Sequence, residues 1–376
     1  MEDIDKVREQ FPITKNKTYL NHAAQSPLPK PVADTMRKYI DDDSKFGTTS
    51  AEWNDGGKPY FAKLIGAHPK EIAFVENTSV GLNIVANMLN YPRDSKIVTT
   101  DLEYPSAVYP WLRKRLGVKV HYVKNVKGKI LLDDMEKAVD DKTVAVVVSH
   151  VEYANGFRHN LKVLSEMAHE HDAYLVVDAI QSVGTMPIDA KRDDIDFLAI
   201  SCYKWLLSPP GAGYLYVKDE LIEKFEPPLV GWASVNQEIF ETTDVWDIYE
   251  MPLAKTASRF EAGTPSFLGF TAANTAMRML LDFGVENIQK RILHLTDHLI
   301  EKVKELGFKL QTPEEKHHRS GIVNFKIDQP QKTVDKLRKK GIVVSARANG
   351  MRVSPHFYNT EEEIDKLVRE TKASQK

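Results

Sequence analysis

The sequence predicts an α/β protein with a mostly parallel sheet, followed by a smaller C-terminal α+β unit. Short β-rich runs alternate with helical patterns between residues 72 and 217, and such alternation favours parallel strands joined by right-handed crossovers. The run at residues 143–149 is almost unbroken in its apolar character, which is typical of a strand covered on both faces. After residue 267, two long helical patterns lead into the short strands and helices of the second unit.

Each strand has its own signal in the sequence. Apolar, β-branched runs that stop at polar residues predict strands at residues 72–75, 96–100, 119–123, 143–149, 175–177 and 197–200. A turn from Gly211 to Gly213 leads into a further strand, which we expect to run antiparallel near the seventh position of the sheet. The C-terminal unit is expected to hold strands at residues 322–327, 342–345 and 351–354.

Helical spacing of apolar residues predicts the helices. They are expected at residues 4–10, 32–41, 61–65, 161–171, 267–283, 285–306, 331–340 and 361–371. One more helix follows the strand at residues 72–75 directly, and it places Thr78 and Ser79 at its N-terminus as N-cap residues. Free amides, two hydroxyls and the helix dipole would also hold a phosphate there, although capping alone accounts for both residues.

Composition limits the classes of protein that this chain can be. The length of 376 residues exceeds one ordinary domain, and a net charge of -2 provides no field for nucleic acid or an anionic membrane. The single Cys202 excludes an internal disulfide framework. No apolar stretch approaches a membrane span, and the first residues are charged rather than signal-like. We therefore expect a cytoplasmic protein without nucleic-acid or membrane partners.

Polar side chains collect where the expected parallel strands end. Asp178 ends one strand, and Ser201, Tyr203 and Lys204 follow the next, at the sheet edge where open α/β sheets bind ligands. Tyr104 lies just past another strand end, where a flat ring can stack on a cofactor. His150, Tyr153 and Asn155 follow a third strand. An aspartate and a lysine in such positions suit pyridoxal phosphate, although an ordinary surface lysine and a strand-end aspartate would give the same pattern.

Other kinds of site lack their motifs. Gly56-Gly57-Lys58 is followed by proline and has no upstream glycine, so it is not a phosphate-binding P-loop. No G-x-G-x-x-G follows a strand, which excludes a dinucleotide fingerprint. His169-Glu170-His171 lacks the i, i+4 histidine pair of a helical zinc site, and one cysteine cannot form a thiolate cage. No metal site is therefore expected, and any chemistry would come from an organic cofactor.

An ordered series of motifs covers nearly the whole chain. They are Y-L-N-H-A-A, E-N-T-S-V-G-L-N, D-L-E-Y-P-S, V-V-D-A-I-Q-S, S-C-Y-K-W, R-F-E-A-G-T-P and M-R-V-S-P-H-F-Y-N-T-E-E-E-I-D. In this order they resemble the class V aminotransferase family of pyridoxal-phosphate enzymes, which includes cysteine desulfurases, kynureninase and isopenicillin N epimerase-like proteins. The resemblance implies fold type I, with a large cofactor-binding domain at residues 15–260. The small domain would combine residues 1–14 with residues 261–376.

The resemblance also implies roles for individual residues. Lys204 would form the Schiff base with the cofactor, and Asp178 would pair with the ring nitrogen. The other cofactor-binding positions implied are Thr78, Ser79, Tyr104, Asn155, Gln181, Ser201, Tyr203 and Thr264, with Tyr153 as an alternative to Asn155. Thr264 would reach the cofactor of a partner subunit, which implies a homodimer. Arg352 would grip the substrate carboxylate, a task suited to its planar fork. Arg347, which lies outside the matched motifs, and His22 are further candidate substrate contacts. An exposed loop arginine is an equal alternative for Arg347, and a residue without a ligand contact is an equal alternative for His22.

The expected substrate is an amino acid, which reacts at its amino group or α-carbon. Desulfurases of this family carry a cysteine ahead of the carboxylate-binding arginine, and K-G-I-V-V-S-A-R-A-N-G-M-R has none. Desulfuration through a persulfide is therefore disfavoured, and an aminotransferase-like or isopenicillin N epimerase-like enzyme with negligible sulfide release is the main expectation. A cysteine or selenocysteine lyase-like enzyme, a kynureninase-like hydrolase and a non-catalytic binding protein of the same fold remain alternatives.

Overall fold

The computed structural model describes residues 4–47, 57–236 and 250–375. Its strands, in chain order, are β1 (Thr18–Tyr19), β2 (Ile72–Val75), β3 (Lys96–Thr100), β4 (Lys119–Val123), β5 (Thr143–Ser149), β6 (Tyr174–Asp178), β7 (Phe197–Ser201), β8 (Gly213–Val217), β9 (Val323–Lys326), β10 (Ile342–Val343), β11 (Ser345–Arg347) and β12 (Gly350–Val353). The α-helices within these ranges are α1 (Ile4–Glu9), α2 (Lys30–Phe46), α3 (Lys58–Leu64), α4 (Thr78–Met88), α5 (Leu132–Ala138), α6 (Leu161–His169), α7 (Asp219–Ile222), α8 (Phe267–Phe283), α9 (Val285–Glu305), α10 (Pro330–Lys339) and α11 (Glu361–Ser374).

Seven strands form the central sheet, in the order β2-β8-β7-β6-β5-β3-β4. The five strands from β7 to β4 are parallel to one another. Strand β8 runs antiparallel to both β2 and β7, as its glycine turn predicts. The expected fold class is thereby confirmed: the protein is α/β, with a mostly parallel seven-stranded sheet.

Helices cover both faces of this sheet. Each β5 residue except Val144 is buried, because apolar clusters pack on the two sides of the strand. Val146 and Val148 belong to one cluster, and Ala145 and Val147 belong to the other. A side chain alternates faces at every residue along a strand, so an unbroken apolar run is what a doubly covered strand requires.

The C-terminal part of the chain forms its own small sheet, in the order β11-β12-β9. Helices α9, α10 and α11 pack an apolar cluster against it. The segment expected as one strand at residues 342–345 is instead divided, because β10 pairs with the N-terminal strand β1 while β11 pairs with β12. Short strands pair over a long sequence separation here, and no local pattern encodes that. The domain boundaries at residues 15 and 261 stay a prediction.

A helix that spans a membrane must be long and predominantly apolar. None of the helices within the described ranges is both long enough and apolar enough to cross a bilayer.

Candidate active site

The carboxyl ends of the parallel strands bring the candidate residues together. Asp178 is the last residue of β6 and pairs in register with Ser149, the last residue of β5. Strand β7 ends beside them at Ser201, three residues before Lys204. Since parallel strands end at the same edge, three successive strands deliver a carboxylate, a hydroxyl and an amine to one region.

Asp178 is buried, with 2% of its surface exposed. Its Oδ1 accepts a hydrogen bond of 2.9 Å from the Ile180 amide. Burial raises the pKa of Asp178 to about 6, against the opposing effects of the Ile180 amide and the positive charge of Lys204. The carboxyl group is therefore mostly ionised at neutral pH, in a place where a cationic ligand atom would gain from pairing with it.

Lys204 is the second buried charged group at this edge. Burial lowers its pKa to about 8; the Asp178 charge opposes this, and the charges of Arg352 and Arg347 add to it. Its Nζ lies 5.8 Å from the ring centre of Tyr104 and 5.7 Å from that of Tyr203. No hydrogen bond or ion pair to this Nζ is found in the described part of the chain. A buried amine near neutrality, with no partner of its own, is suited to covalent attachment of a ligand.

The N-terminus of α4 lies beside the end of β7. The N-cap is Asn77, whose side chain accepts a 3.0 Å hydrogen bond from the Val80 amide, so the expectation that Thr78 and Ser79 cap the helix is wrong by one residue. An extended φ of −169° at Asn77 explains the difference, because a cap residue must be non-helical. Thr78 and Ser79 are instead the first two residues of the helix.

Hydroxyl groups line this helix end. The Ser201 Oγ accepts a 2.8 Å hydrogen bond from the Thr78 amide and lies 3.0 Å from the Thr78 hydroxyl. The Ser79 hydroxyl lies 2.8 Å from that of Ser106. The structure thus brings Thr78, Ser79 and Ser201 together at a positive helix end, which is the chemistry that binds a phosphate.

Tyrosines line the rest of the site. Tyr104 is 46% exposed and meets Tyr153 edge to face, with ring centres 5.1 Å apart. Tyr203 is half-buried, and burial raises the pKa of its phenol. The rings of Tyr104 and Tyr203 lie beside Lys204, and Tyr153 packs on Tyr104, so the three rings form a tyrosine wall against which a flat heteroaromatic ring can pack.

Arg352 lies on β12 with 2% of its surface exposed. Its Nη1 donates a 2.8 Å hydrogen bond to the Tyr153 carbonyl, and its Nη2 lies 3.5 Å from the Ser345 hydroxyl. Its buried Nε has no hydrogen-bond partner, and no carboxylate pairs with it among the described residues. Burial lowers the pKa of Arg352 to about 10, so it stays charged at neutral pH. A buried cation without an anion is a binding site for one.

His22 lies in the core rather than in the site, and its expected substrate contact is corrected here. Its Nδ1 lies 2.9 Å from the Ser354 carbonyl and its Nε2 lies 2.8 Å from the Tyr358 hydroxyl. It has no exposed surface, and burial lowers its pKa to about 4. Because both ring nitrogens are used internally, the neutral imidazole has no contact left to offer a ligand.

Asn155 is also used internally. Its Nδ2 donates to the Gly128 carbonyl at 2.7 Å, and its Oδ1 accepts from the Phe157 amide at 3.0 Å. It therefore holds a turn, and Tyr153, the alternative at this position, is the residue that meets Tyr104. Gln181 bridges two segments, since its Nε2 donates to the Ala23 carbonyl at 3.0 Å. Its Oε1 accepts from Trp205 Nε1 at 2.8 Å.

The two remaining candidates lie at the surface. Arg347 is exposed at the end of β11 and donates to the carbonyl of its neighbour Ala346 at 2.8 Å. Thr264 is exposed in a loop that lines a cavity of about 150 Å³ together with Glu76 and Gly211. Within the described ranges, neither side chain forms a hydrogen bond or ion pair with Lys204 or Asp178.

Two glutamates were missed by sequence reasoning. Glu103 accepts hydrogen bonds from the amide and hydroxyl of Ser149 at 2.7 and 2.6 Å. Glu152 has no exposed surface and accepts a 3.1 Å hydrogen bond from the Thr100 hydroxyl. Both follow strand ends, as Asp178 ends its own strand, so this position in the sequence is the signal that identifies them.

Comparisons with known proteins identify the family. The model of the family "Aminotransferase class-V" matches residues 18–367. The "Uncharacterized aminotransferase YcbU" of Bacillus subtilis is 31% identical over 98% of this chain and 97% of its own length. A "Probable cysteine desulfurase" of Pyrococcus abyssi is 31% identical over 99% of both chains. The solved apo structure of a cysteine desulfurase from Thermococcus onnurineus matches with a TM-score of 0.90 and 29% identity, over 100% of this chain and 98% of that one.

The residues at the sheet edge suit the cofactor of this family. An unpaired buried lysine, a buried carboxylate and a hydroxyl-lined helix end match the aldehyde, the ring nitrogen and the phosphate of pyridoxal phosphate. The match to the family model spans nearly the whole chain, and the two named relatives align with 98% and 99% of it. The protein is a pyridoxal-phosphate-dependent enzyme and belongs to the class V aminotransferase family.

Proposed function

We propose that the enzyme is a carbon–sulfur lyase that acts on cysteine or a related sulfur-containing amino acid and releases the sulfur directly. Two relatives support a carbon–sulfur substrate, since the Pyrococcus abyssi protein and the Thermococcus onnurineus structure are both named cysteine desulfurases. Their names favour the lyase alternative over the aminotransferase-like or epimerase-like main expectation. The proposal that sulfur is released directly, without transfer to an enzyme cysteine, rests on the position of the chain's only thiol.

Cys202 has no exposed surface, and burial raises the pKa of its thiol far above the usual range. A thiolate is the form that accepts sulfur, so this residue is held in the unreactive form. The segment ahead of Arg352 offers no replacement. Strands β11 and β12 are joined by the two residues Ala348 and Asn349, both with positive φ, in a tight hairpin turn. A two-residue turn is too short to form a mobile loop that could present a sulfur-accepting cysteine to the substrate.

The remaining residues suggest how the substrate is held and deprotonated. Arg352 would bind the α-carboxylate through its unpartnered Nε and its Nη atoms, which fixes the amino acid against the tyrosine wall. Asp178 would hold the proton on the ring nitrogen of the cofactor. Pyridoxal phosphate, when bound, supplies the electron sink that acidifies the α-carbon. The neutral Nζ of Lys204 would then take the α-proton.

The overall reaction balances without an enzyme thiol. Loss of the α-proton and of the sulfur at the β-carbon breaks one C–H and one C–S bond, and water then hydrolyses the resulting enamine and imine. Cysteine and water would give pyruvate, ammonia and hydrogen sulfide. No oxidant or reductant is needed. A persulfide route would instead give alanine and leave the sulfur on a cysteine.

Product analysis tests this proposal. With cysteine as substrate, we expect pyruvate, ammonia and sulfide in equal amounts, and we expect Cys202→Ala to leave kcat/KM within about twofold because a buried thiol takes no part. The measurement is a coupled lactate dehydrogenase assay for pyruvate, run beside sulfide and alanine assays. Alanine formation that disappears in Cys202→Ala would contradict direct release.

Transamination is the second candidate, and the Bacillus subtilis relative named as an aminotransferase favours it. The same Lys204 and Arg352 would serve, with a keto acid as the amino acceptor. A panel of amino acids and keto acids, followed by absorbance, separates the two reactions. Exchange of amino groups without pyruvate or sulfide release would replace the lyase proposal by this one.

We also propose that the active species is a homodimer in which Thr264 completes a neighbour's phosphate site. Tyr109 and Leu112 are 64% and 51% exposed, and Tyr109 lines the same surface groove as Ser79 and Tyr104. An apolar surface beside the site is what a shared interface requires. Light scattering should give a dimer, and Thr264→Ala should weaken cofactor binding about tenfold without changing the mass. A monomer that binds the cofactor tightly would contradict the proposal.

A further inference from the structure

Each of two site tyrosines is preceded directly by a glutamate. Glu103 precedes Tyr104 after β3, and Glu152 precedes Tyr153 after β5. The proposed reaction uses neither carboxyl group. Adjacent residues share backbone, so whatever fixes the two glutamates also fixes the segments that carry the tyrosine rings.

The glutamates tie neighbouring strand ends together. Glu103, after β3, takes both of its hydrogen bonds from Ser149 at the end of β5. Glu152, after β5, takes one from Thr100 at the end of β3. The contacts cross between the two strands in opposite directions. The pair therefore links the ends of β3 and β5 at the sheet edge, one residue before each tyrosine of the wall.

The carboxyl group of Glu103 interacts directly with that of Glu152, whose buried Oε2 accepts no other hydrogen bond among the described residues. In the part of the chain that the structure describes, no lysine or arginine forms an ion pair with either one. His159 could carry a positive charge, and its Nε2 lies 3.2 Å from Glu152 Oε1. Burial, however, lowers the pKa of His159 to about 3, so its imidazole is neutral. The nearby charges of Asp178 and Asp101 are negative and oppose ionisation of Glu152.

Burial favours the protonated form of both carboxyl groups, and at Glu103 the neighbouring charge of Glu152 has the same effect. Burial raises the pKa of Glu103 well above its usual range, and the charge of Glu152 adds to the effect. Burial also raises the pKa of Glu152 to about 8. Two like charges side by side in a dry site cannot both ionise at neutral pH.

We propose that Glu103 and Glu152 retain a shared proton at neutral pH and act as a positioning pair for Tyr104 and Tyr153. The proton lets one carboxyl group donate to the other, where two carboxylates would repel. Loss of the proton would push the two segments apart and loosen the wall against which the cofactor ring packs. The inference rests on the cofactor site proposed above, and its test includes a measurement on the apoprotein that does not depend on that site.

Cofactor affinity is the first measurement. Glutamine mimics a protonated carboxyl group, so Glu152→Gln should keep the dissociation constant for pyridoxal phosphate at pH 7 within about threefold of wild type. Glu152→Ala removes the hydrogen bond that Glu152 accepts from Thr100 and should weaken cofactor binding at least about tenfold. Between pH 7 and pH 9.5, wild type should lose more affinity than Glu152→Gln, since only wild type can lose this proton. Glu103→Gln serves as the second variant if Glu152→Gln does not fold.

Thermal unfolding of the apoprotein is the second measurement. A carboxyl pKa raised by folding gives stability that is complete below the unfolded pKa and is lost as pH rises to about 8. Glutamine does not titrate, so the melting temperature of Glu152→Gln relative to wild type should rise by several degrees between pH 5 and pH 9. Glu136→Gln, which alters an exposed glutamate on α5, should show no such trend.

The outcomes separate the pair from the site. If Glu152→Gln loses as much affinity as Glu152→Ala, and its relative melting temperature does not rise with pH, the pair is ionised and the inference is wrong. If Glu152→Ala binds as wild type does, the pair does not position the wall. If wild type itself fails to bind pyridoxal phosphate, the proposed site fails, while the melting curves still report whether the pair holds its proton.

Discussion

Lys204→Ala is expected to abolish turnover, with kcat/KM reduced at least about ten-thousand-fold, because the variant loses the residue proposed as both the covalent anchor and the base. The absorbance of lysine-bound cofactor should also be absent from the variant. Borohydride reduction of wild type, followed by peptide mapping, should place the pyridoxyl group on Lys204. Lys332→Ala, at an exposed position on α10, is the matched control and should retain full activity.

The pKa of Lys204 predicts how cofactor uptake depends on pH. Burial lowers this pKa to about 8, and only the neutral amine attacks an aldehyde. About a tenth of the lysine is then neutral at pH 7. The rate at which apoprotein takes up pyridoxal phosphate should therefore rise with pH and level off above about pH 8. A pyridoxyl label on another lysine after borohydride reduction would contradict the role assigned to Lys204. A rate of cofactor uptake that falls as the pH rises from 7 to 8 would also contradict it.

Arg352→Met is expected to raise KM for the amino acid at least about hundredfold, because the variant loses a charge-assisted, multidentate contact to the carboxylate. The apoprotein should nevertheless keep its melting temperature or gain a few degrees. Arg352 is a buried cation without an anion among the described residues, so its removal also ends a desolvation cost. Steady-state kinetics and thermal unfolding of the same preparations measure both effects.

Arg347→Ala is the control for Arg352, since Arg347 is exposed five residues earlier on the same hairpin. With a monocarboxylic amino acid, its KM should stay within about threefold of wild type, because an exposed charge is weakly coupled to a bound ligand. A large KM increase for dicarboxylic substrates alone would support its predicted contact with a second acidic group. Arg352→Met with unchanged KM and a collapsed melting temperature would make Arg352 a structural residue.

The sequence was sufficient for the sheet and for its central pair because both depend on local pattern. The apolar runs of β5, β6 and β7 are continuous, and each one stops at a polar residue. Because the carboxyl ends of parallel strands lie at a common edge, the sequence alone predicted that Asp178 and Lys204 lie close together. The order of the motifs along the chain then identified the cofactor as pyridoxal phosphate. No single residue could have identified it.

Contacts between distant segments could not be predicted in this way. His22 looks like a ligand residue in a small-residue turn, but its imidazole is used by Ser354 and Tyr358, more than 300 positions away. Asn155 is similarly held by Gly128. The Glu103 and Glu152 pair depends on two strand ends that lie side by side only in the folded sheet. The N-cap at Asn77 differs by one residue, which is the ordinary precision of helix boundaries.

The interior position of Cys202 bears on how the enzyme tolerates oxidants and electrophiles. Peroxides and alkylating reagents attack thiolates that they can reach, and this chain presents none, since its one cysteine is fully buried and protonated. An enzyme that handles sulfur through a surface cysteine is inactivated when that cysteine is oxidised. The proposed carbon–sulfur lyase reaction would continue under oxidative stress, and covalent thiol reagents would be poor inhibitors of it.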